Sequence, residues 1–550
     1  MTARDDASSD KTRVEEGPSP SHTRLASTSA GDVVPASASS SKLSLPDEQP
    51  PPYSIFSGRA KWAVVGLVMI AGIFSPLSAN SYFPAIPSVA EDLGVSVQNI
   101  NLSVTLFMVV QGISPTLWGA TCDVIGRRPV YLMCFTIYIA TCLGLAFTQT
   151  YWLLMLLRCL QAAGSASVVA LGAGTIGDLA PPKERGGYMG IYSLGAMLGP
   201  CIGPLAGGLL ADRWDWHAIF FFLAAFSAVV FCVMLLALPE TLRSMVGNGS
   251  IPPTRLVNRS LVSVCLARRQ QTSQVPAATL PPRPRRSINP FASLVMLKEL
   301  DVFLLLIFNA IVYSLFYAST TSFSPSVKAK YGLSESALGL CYLANGGGMI
   351  CASACNGPRL NRDYRVVARR YEEQAAERGE KVKESQDLND LGDFPIEHAR
   401  LRSLPYSFVL MLVVSIVYGW TVEKGVHLSV PLICQFGSGF ASMTQFTSIS
   451  TLLIDLFPKS SASATASNNL VRCLMGAGAT AVIDPIIARM GNGWAFTMLS
   501  LITLASGPLL LIEWRKGMSI RHKRAARLAR AEAAREAKEA TRLQAKEEKV

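Results

Sequence analysis

Two arginines stand inside stretches that carry almost no other charge. Arg158 lies in WLLMLLRCLQAAGSAS and Arg472 in ASNNLVRCLMGAGAT. A guanidinium in such a segment is costly unless it faces a partner or a wet cavity. It stays charged at any working pH and meets a carboxylate through two parallel hydrogen bonds. Arg158, Gln161 and Ser165 follow i, i+3, i+7 and share one helix face; Asn468 and Arg472 are one turn apart, with Asn469 beside them. Similar polar stripes are Asn309, Tyr313 and Tyr317; Ser438, Ser442 and Gln445; and Ser78, Asn80, Ser81 and Tyr82. No Asp or Glu is comparably deep: Asp178, Asp455 and Glu240 sit at the ends of apolar runs, and Asp484 in the outer part of one. The chemistry this set offers is capture of an anion, a carboxylate most directly. Each arginine has two readings, a ligand contact or a structural tie to helix carbonyls and polar neighbours. Each stripe likewise reads as cavity lining or as hydrogen bonding between packed helices.

The elements that must position these residues are long apolar runs. About 18 apolar residues suffice for a helix to span a bilayer. Twelve runs qualify: 61–82, 98–120, 129–148, 152–177, 186–210, 216–238, 300–323, 334–356, 404–421, 427–454, 462–488 and 493–513. None alternates apolar and polar residues as a barrel strand does. The expected class is therefore an all-α membrane protein. The net charge of +12 is not spread as a nucleic-acid surface would need. It gathers in Arg127-Arg128, Lys183 to Arg185, 239–299, 358–402 and the segment after Trp514, which alternation of helices places on one side. That asymmetry predicts both termini in the cytosol.

Composition divides the chain further. Residues 1–57, rich in Ser, Pro, Ala and Thr, read as a disordered cytosolic tail. Residues 58–238 and 300–514 form two six-helix bundles, joined by a cytosolic central loop at 239–299; a cytosolic insert at 358–402 mixes both charges and has the composition of a surface helix. The basic segment 515–550 reads as an Ala/Arg/Glu helix, either on anionic inner-leaflet lipid or in solvent. The halves echo each other: Gly-Asp178-Leu-Ala-Pro181 ends run four and Ile-Asp455-Leu-Phe-Pro458 ends run ten, an offset of 455 − 178 = 277. Gly119-ATC-Asp123 is echoed by Gly357-PRL-Asn361. Two parallel repeats predict a binding site between them near the midplane, reached by rocking.

Gly190-IYSLGAML-Gly199-Pro-CI-Gly203-Pro204-LA-Gly207-Gly208 is too rich in glycine and proline for a soluble helix. In a membrane, small residues let two backbones approach closely. The stretch is expected to bend and seal the outer gate, with Gly346-Gly347-Gly348 of run eight as its close partner.

Several of these motifs match one family. Gly119-ATC-Asp123-Val124-Ile-Gly126-Arg127-Arg128-Pro129 resembles the major facilitator superfamily signature between helices two and three. The Gly190–Gly208 stretch is similar to that superfamily's helix-five exporter signature. Arg158-CL-Gln161-AA-Gly164 resembles its helix-four motif, with Ala162 where glycine is more usual, and Gly177-Asp178-LAPPKE-Arg185-Gly186 fits the helix-four exit. Gly357-PRLNRDYR, Asp455-LFP, Ala466-SNNLVRC and Gly491-NGWAF look like the fungal twelve-helix drug:proton antiporter group, with its quinidine-resistance and organic-acid-exporter branches. The resemblance covers about residues 60 to 514 and implies the major facilitator fold. It implies an inward gate at Asp123, Arg127 and Arg128, although Val124 replaces the usual base after the acid. It also makes helices one, four, seven and ten the cavity-lining ones.

The function this implies is secondary transport, without enzymatic chemistry, of a small organic molecule outward. Arg158, Gln161, Asn309, Tyr313, Gln445, Asn469 and Arg472 are the candidate cavity contacts, and they lean towards citrate- or itaconate-like carboxylates. Asp178, Asp455 and Asp484 are candidates for proton coupling, as is the substrate's own carboxylate; the proton gradient is the expected driving force. No GxxxxGK[ST] loop is present for ATP, and no residue cluster completes a metal site. No cofactor and no nucleic acid is implied; the resemblance to fungal exporters implies the plasma membrane, and the expected assembly is a monomer in the bilayer. Two alternatives stand beside this reading: a broad multidrug efflux pump, and a non-transporting nutrient sensor that signals through its tails.

Overall fold

The computed structural model describes residues 53–253, 255–260, 296–377, 394–457 and 461–547. Nearly all of the tail 1–57, most of the central loop, residues 378–393 of the insert and the last three positions thus lie outside the described residues. Among the described residues, ten helices are long and apolar enough to cross a membrane. The last of them, Ser463–Ala531, breaks at Gly491, whose φ of +78° ends one span and starts another. Ser429–Leu456, 28 residues long but richer in Ser and Thr, completes twelve.

The twelve are α1 Gly58–Asn80, α2 Val97–Ile125, α3 Arg127–Ala146, α4 Tyr151–Leu179, α5 Pro182–Arg213 and α6 His217–Ala237, then α7 Leu300–Tyr331, α8 Glu335–Glu377, α9 Leu404–Lys424 and α10 Ser429–Leu456. The broken helix supplies α11 (461–490) and α12 (492–505), and a further helix, Gly507–Glu547, follows α12. Local chemistry sets the ends. The Ser57 and Ser96 hydroxyls accept the Ala60 and Asn99 N–H groups at 3.3 Å as N-caps. Left-handed Gly332 and Gly425 close α7 and α9. Two helices outrun their apolar segments. α8 continues past residue 356 to Glu377, because RVVARRYEEQAAE is made of strong helix formers once the membrane ends. α5 starts at Pro182, a residue suited to a first helical turn. Residues 53–56, expected within a disordered tail, are instead pinned: the Tyr53 hydroxyl donates to Gly177 O at 3.1 Å and Arg243 stacks on the Tyr53 ring.

α1–α6 form one bundle and α7–α12 the other. Within them α1 lies along α5 and α4 on α2 and α3, while α11 packs on α7, α12 on α9, and α8 on α10. Between them, α5 meets α8 and α2 meets α11. The outer surface is apolar and carries aromatic residues near the helix ends, as lipid-facing surfaces do. Trp152, at 79 % exposure, and Trp214, at 71 %, are examples.

One end of the molecule has short connections (147–150, 332–334, 425–428); the other carries most of the arginines. We call them the short-loop and basic ends. Among the described residues, the hydrogen bonds and ring contacts that join the halves lie from the middle of the molecule to the short-loop end. The Asn101 amide donates to Asp484, Thr105 bonds Thr480 at 3.0 Å, and Ser336 donates to Asp212 at 2.7 Å. Phe83 sits between Tyr317 and Tyr342, and Ser324 donates to Pro84 O at 3.3 Å. The deepest is the bond from Asn469 Nδ2 to Gln111 O, 3.1 Å long. At 1.5 Å per residue, Gln111 lies about 21 Å from the start of α2. This is a state closed at the short-loop end.

The glycine stretch has two faces in this seam. Gly199, Gly203 and Gly207, spaced by four, press on α1 and the residue after it within the same half. A Cβ on Gly199 would meet Leu77 N at 2.8 Å, one on Gly203 Ser81 N at 3.1 Å, and one on Gly207 the Ser81 carbonyl. Gly208 instead meets the Glu335 carbonyl and Gly339 across the seam, and a Cβ on Gly339 would meet Pro204 O at 2.5 Å. Gly346 lies against Cys201, but Gly347 and Gly348 face Phe436 of α10. So α8 shares the stretch with α1 and is not its sole partner. Gly119 and Gly190, towards the basic end, have nothing within reach of a Cβ. α5 runs as one helix through Pro200 and Pro204.

Candidate functional site

Arg158 is fully buried within the first bundle. Its Nη1 donates to Ser78 O at 3.2 Å and to Gln161 Oε1 at 2.7 Å. The guanidinium carbon lies 4.6 Å from the Tyr82 ring centroid and 4.4 Å from that of Phe107. Two π faces thus carry part of its charge. Among the described residues, Nε and Nη2 have no hydrogen-bond partner. Gln161 passes its amide N–H on to Cys142 Sγ at 3.2 Å.

Arg472 repeats this arrangement in the second bundle. Its carbon lies 4.5 Å from the Tyr313 centroid and 4.7 Å from that of Phe446, its Nη2 donates to Asn469 Oδ1 at 3.0 Å, and its Nε is unpartnered. It is half-buried, whereas Arg158 is sealed. Asn469 thereby touches both the arginine and, through Gln111 O, the opposite bundle. Asn309 donates to Asn468 Oδ1 at 2.8 Å just beside them. Depth can be compared on α2: Phe107 covers Arg158, and Gly112 packs on Cys473, the neighbour of Arg472. Along a helix those two positions are about 7.5 Å apart, both in the middle of α2. Two guanidinium groups thus lie near the midplane, one per half, and among the described residues neither has a carboxylate partner. Such a group is electrostatically unfinished and favours an incoming anion.

The other candidates divide. Asn469, Tyr313 and Asn309 gather around Arg472, and Gln161 around Arg158. Gln445 does not join them: its amide donates to Ser407 O on α9 at 3.3 Å, and Ser438 likewise turns to Met411. The polar stripe of α10 therefore faces a neighbouring helix. Phe107 and Phe446, which flank the two guanidinium groups, carry no polar group and so stand outside the polar stripes, whereas Tyr82 belongs to the α1 stripe and meets Arg158 through its ring. An aromatic one position after Gln445, or one helix face away from a deep arginine, was the available signal.

At the basic end Arg127 joins three elements. It pairs with Asp123 at 3.0 Å and with Asp178 at 3.0 Å, despite Val124, which simply points outward at 44 % exposure. Arg128 takes a different role. It caps the end of α6, donating to the carbonyls of Met234 (3.1 Å), Leu235 (2.6 Å) and Leu238, and to Val257 O. Buried Glu240 accepts the N–H groups of Arg127 (2.9 Å), Arg128 (3.3 Å), Thr241 and Leu242 (3.0 Å each), a hub the sequence placed only at a helix end. Gly126, at φ +111°, leaves room for that carboxylate, which a Cβ would strike. Gly126→Ala is expected to cost about 1–3 kcal/mol of stability from strain alone, read as a lowered thermal midpoint of purified protein. In the second half Asp455 pairs with Arg400 at 2.7 Å, the counterpart of Asp178 with Arg127. Asn361 and Arg362 are exposed and do not take part, so the echoed loop lacks the first half's acid–base pair. Of the three proton-coupling candidates, Asp178 and Asp455 are thus tied to arginines of their own bundle, and Asp484 crosses to the other.

Comparison with known proteins follows the same lines. The family model described as Major Facilitator Superfamily matches residues 68–480. The chain is 38 % identical over 522 residues to Citrate exporter 1 of Aspergillus niger, covering 95 % of this chain and 98 % of that protein. It is 34 % identical over 490 residues to Multidrug transporter QDR2 of Candida glabrata, covering 86 % and 83 %. Among solved structures, the xylose transporter XylE from E. coli, in a partially occluded inward-open conformation, superposes with a TM-score of 0.57 over 83 % of this chain and 98 % of that one; at 11 % identity this likeness speaks to the fold.

Proposed function

This chain belongs to the Major Facilitator Superfamily and is a multi-pass membrane transporter rather than an enzyme, and we propose that it exports small organic acids of the citrate type by alternating access, driven by the proton gradient. The observation that carries this reading is the pair of ring-flanked guanidinium groups near the midplane, one in each bundle, neither neutralised by a carboxylate. The likeness to a citrate exporter supports it independently.

In the proposed cycle a carboxylate enters from the basic end and takes Arg472, the half-buried cation, through its unpartnered Nε. Asn469 then loses its bond from Nη2 and loosens its hold on Gln111 across the seam. Substrate capture and release of the closed end are thereby linked through one amide. Arg158 completes the site once the bundles rock, since its free Nε and Nη2 are sealed in the present state. The pairs Arg127–Asp123–Asp178 and Arg400–Asp455 hold the basic end in shape for its turn to close. We place both termini in the cytosol, because the arginines gather at one end, and the protein as a monomer in the plasma membrane, in keeping with its likeness to fungal exporters. The tail beyond Arg527 is the part free to meet anionic lipid.

A second reading, efflux of varied drugs, is favoured by the likeness to a multidrug transporter. Sealed vesicles containing the full chain separate the two. Citrate flux at least about 10-fold above empty vesicles, increased by a pH gradient, is expected, with little flux of the lipophilic cation tetraphenylphosphonium. Transport of the cation without citrate overturns the organic-acid reading.

A further inference from the structure

Asp484 lies away from both deep arginines, far out on α11, about 18 Å beyond Arg472 along the helix. It nonetheless bridges the two bundles. It accepts the Asn101 amide N–H of α2, and one turn deeper Thr105 and Thr480 bond across the same seam at 3.0 Å. Asp212, which also accepts a hydrogen bond across the seam, is exposed to solvent, whereas Asp484 is half-buried. Asn101 is 1 % exposed, and its other amide atom, Oδ1, is buried and among the described residues has no donor. An amide presents N–H and C=O on one edge. A carboxylate can satisfy only the first of these; a carboxylic acid satisfies both, accepting at one oxygen and donating its proton from the other. The closed seam therefore lacks one hydrogen, and protonation of Asp484 supplies it.

From this geometry we infer that Asp484 and Asn101 form a proton-binding latch that holds the short-loop end shut when that side is acidic. The proton and the closed seam stabilise each other, because the acid–amide pair exists only when α2 and α11 are together. When the seam opens, Asp484 returns to water and to ordinary carboxyl behaviour. The sign follows: the latch is fully engaged at low pH and is lost as pH rises through the closed-state titration. The groups around Asp484 do not offer another explanation. α2 faces it with Asn101 and Thr105, and among the described residues no charged side chain of α2 or α7 acts on it. The nearest charge along its own helix, Arg489, is exposed. Asp178 and Asp455, by contrast, hold arginines of their own bundle and report nothing about the seam. The inference rests on the alternating-access reading, and is independent of the substrate.

The test measures distance and needs no substrate. Spin labels are placed at exposed Gln149 and Lys424, at the short-loop end of opposite bundles, in full-length protein in lipid nanodiscs with Cys232, Cys265, Cys351 and Cys355 replaced. Between about pH 8 and pH 5 the ratio of short to long distances is expected to rise at least about 5-fold. Asp484→Asn puts a second amide opposite the first, which donates to Asn101 Oδ1 permanently. It is expected to give the short distance at both pH values. Asn101→Leu removes both amide groups, and is expected to abolish the shift and favour the long distance. A wild-type shift that persists in either variant, or a wild type without a shift, overturns the latch. Absence of citrate flux alongside an intact shift overturns the substrate assignment alone.

Discussion

Arg472→Ala is expected to reduce citrate efflux by about 10- to 150-fold, the range that corresponds to loss of one or two hydrogen bonds to a charged group. The guanidinium is held by two rings and one amide, so removing it leaves Asn469 Oδ1 with no donor from this residue but does not orphan a buried carboxylate. The bundle should therefore survive the change, which an unpaired buried acid would not allow. Arg472→Lys keeps the charge but loses the planar fork and its stacking on Tyr313 and Phe446; an intermediate loss is expected. Vesicle efflux of labelled citrate, with tetraphenylphosphonium flux measured beside it, is the check. Wild-type citrate efflux in Arg472→Ala would sink the anion reading, whereas parallel loss of both fluxes would point to a fold defect instead.

Gly208→Leu is expected to arrest the cycle by keeping the short-loop end from closing. A Cβ at 208 already meets the Glu335 carbonyl and lies 3.0 Å from Gly339 Cα, both backbone atoms that cannot swing aside. Overpacking of this kind costs about 1–3 kcal/mol in cores, occasionally more, and here the whole cost falls on one conformation. That corresponds to a turnover lower by about 5- to 150-fold with the fold intact. Gly207→Leu, one residue earlier, is the contrast. Its clash is with Ser81 inside the same bundle, as Gly203's is, so both should lower yield and thermal stability in every conformation. Transport at the normal rate in Gly208→Leu, or equal loss of stability in the 207 and 208 variants, would refute the assignment of these faces.

That contrast also marks how far the sequence could be read. Twelve spans, two repeats and two deep arginines follow from hydropathy and charge alone, since a bilayer leaves helices few other options. The density of glycine at 190–208 announced close packing, but not that residues spaced by four serve α1 while 208 serves α8. Adjacent residues lie about 100° apart on a helix, and which arc meets which neighbour is a matter of tertiary packing. Gln445, whose amide donates to Ser407 O, shows a related point: polar spacing is the same for a cavity wall and for a helix–helix bond. Glu240 and Arg128 were legible as charges at a helix end. Their partners are backbone groups, which no side-chain pattern reveals.

The arginines after α12 have a mechanical consequence. Arg521 pairs with buried Glu397 at 3.1 Å, Arg524 with buried Asp301, and Arg527 with Glu299, all in the second half. The helix Gly507–Glu547 is thus clamped near its middle, and its described positions after Arg524 are exposed. From Arg527 to Glu547 it projects about 30 Å as a rigid pointer. A domain rotation on the order of 15° carries its tip through about 8 Å. A fluorophore at that tip would turn each swing of the second bundle into a displacement large enough to follow one molecule at a time.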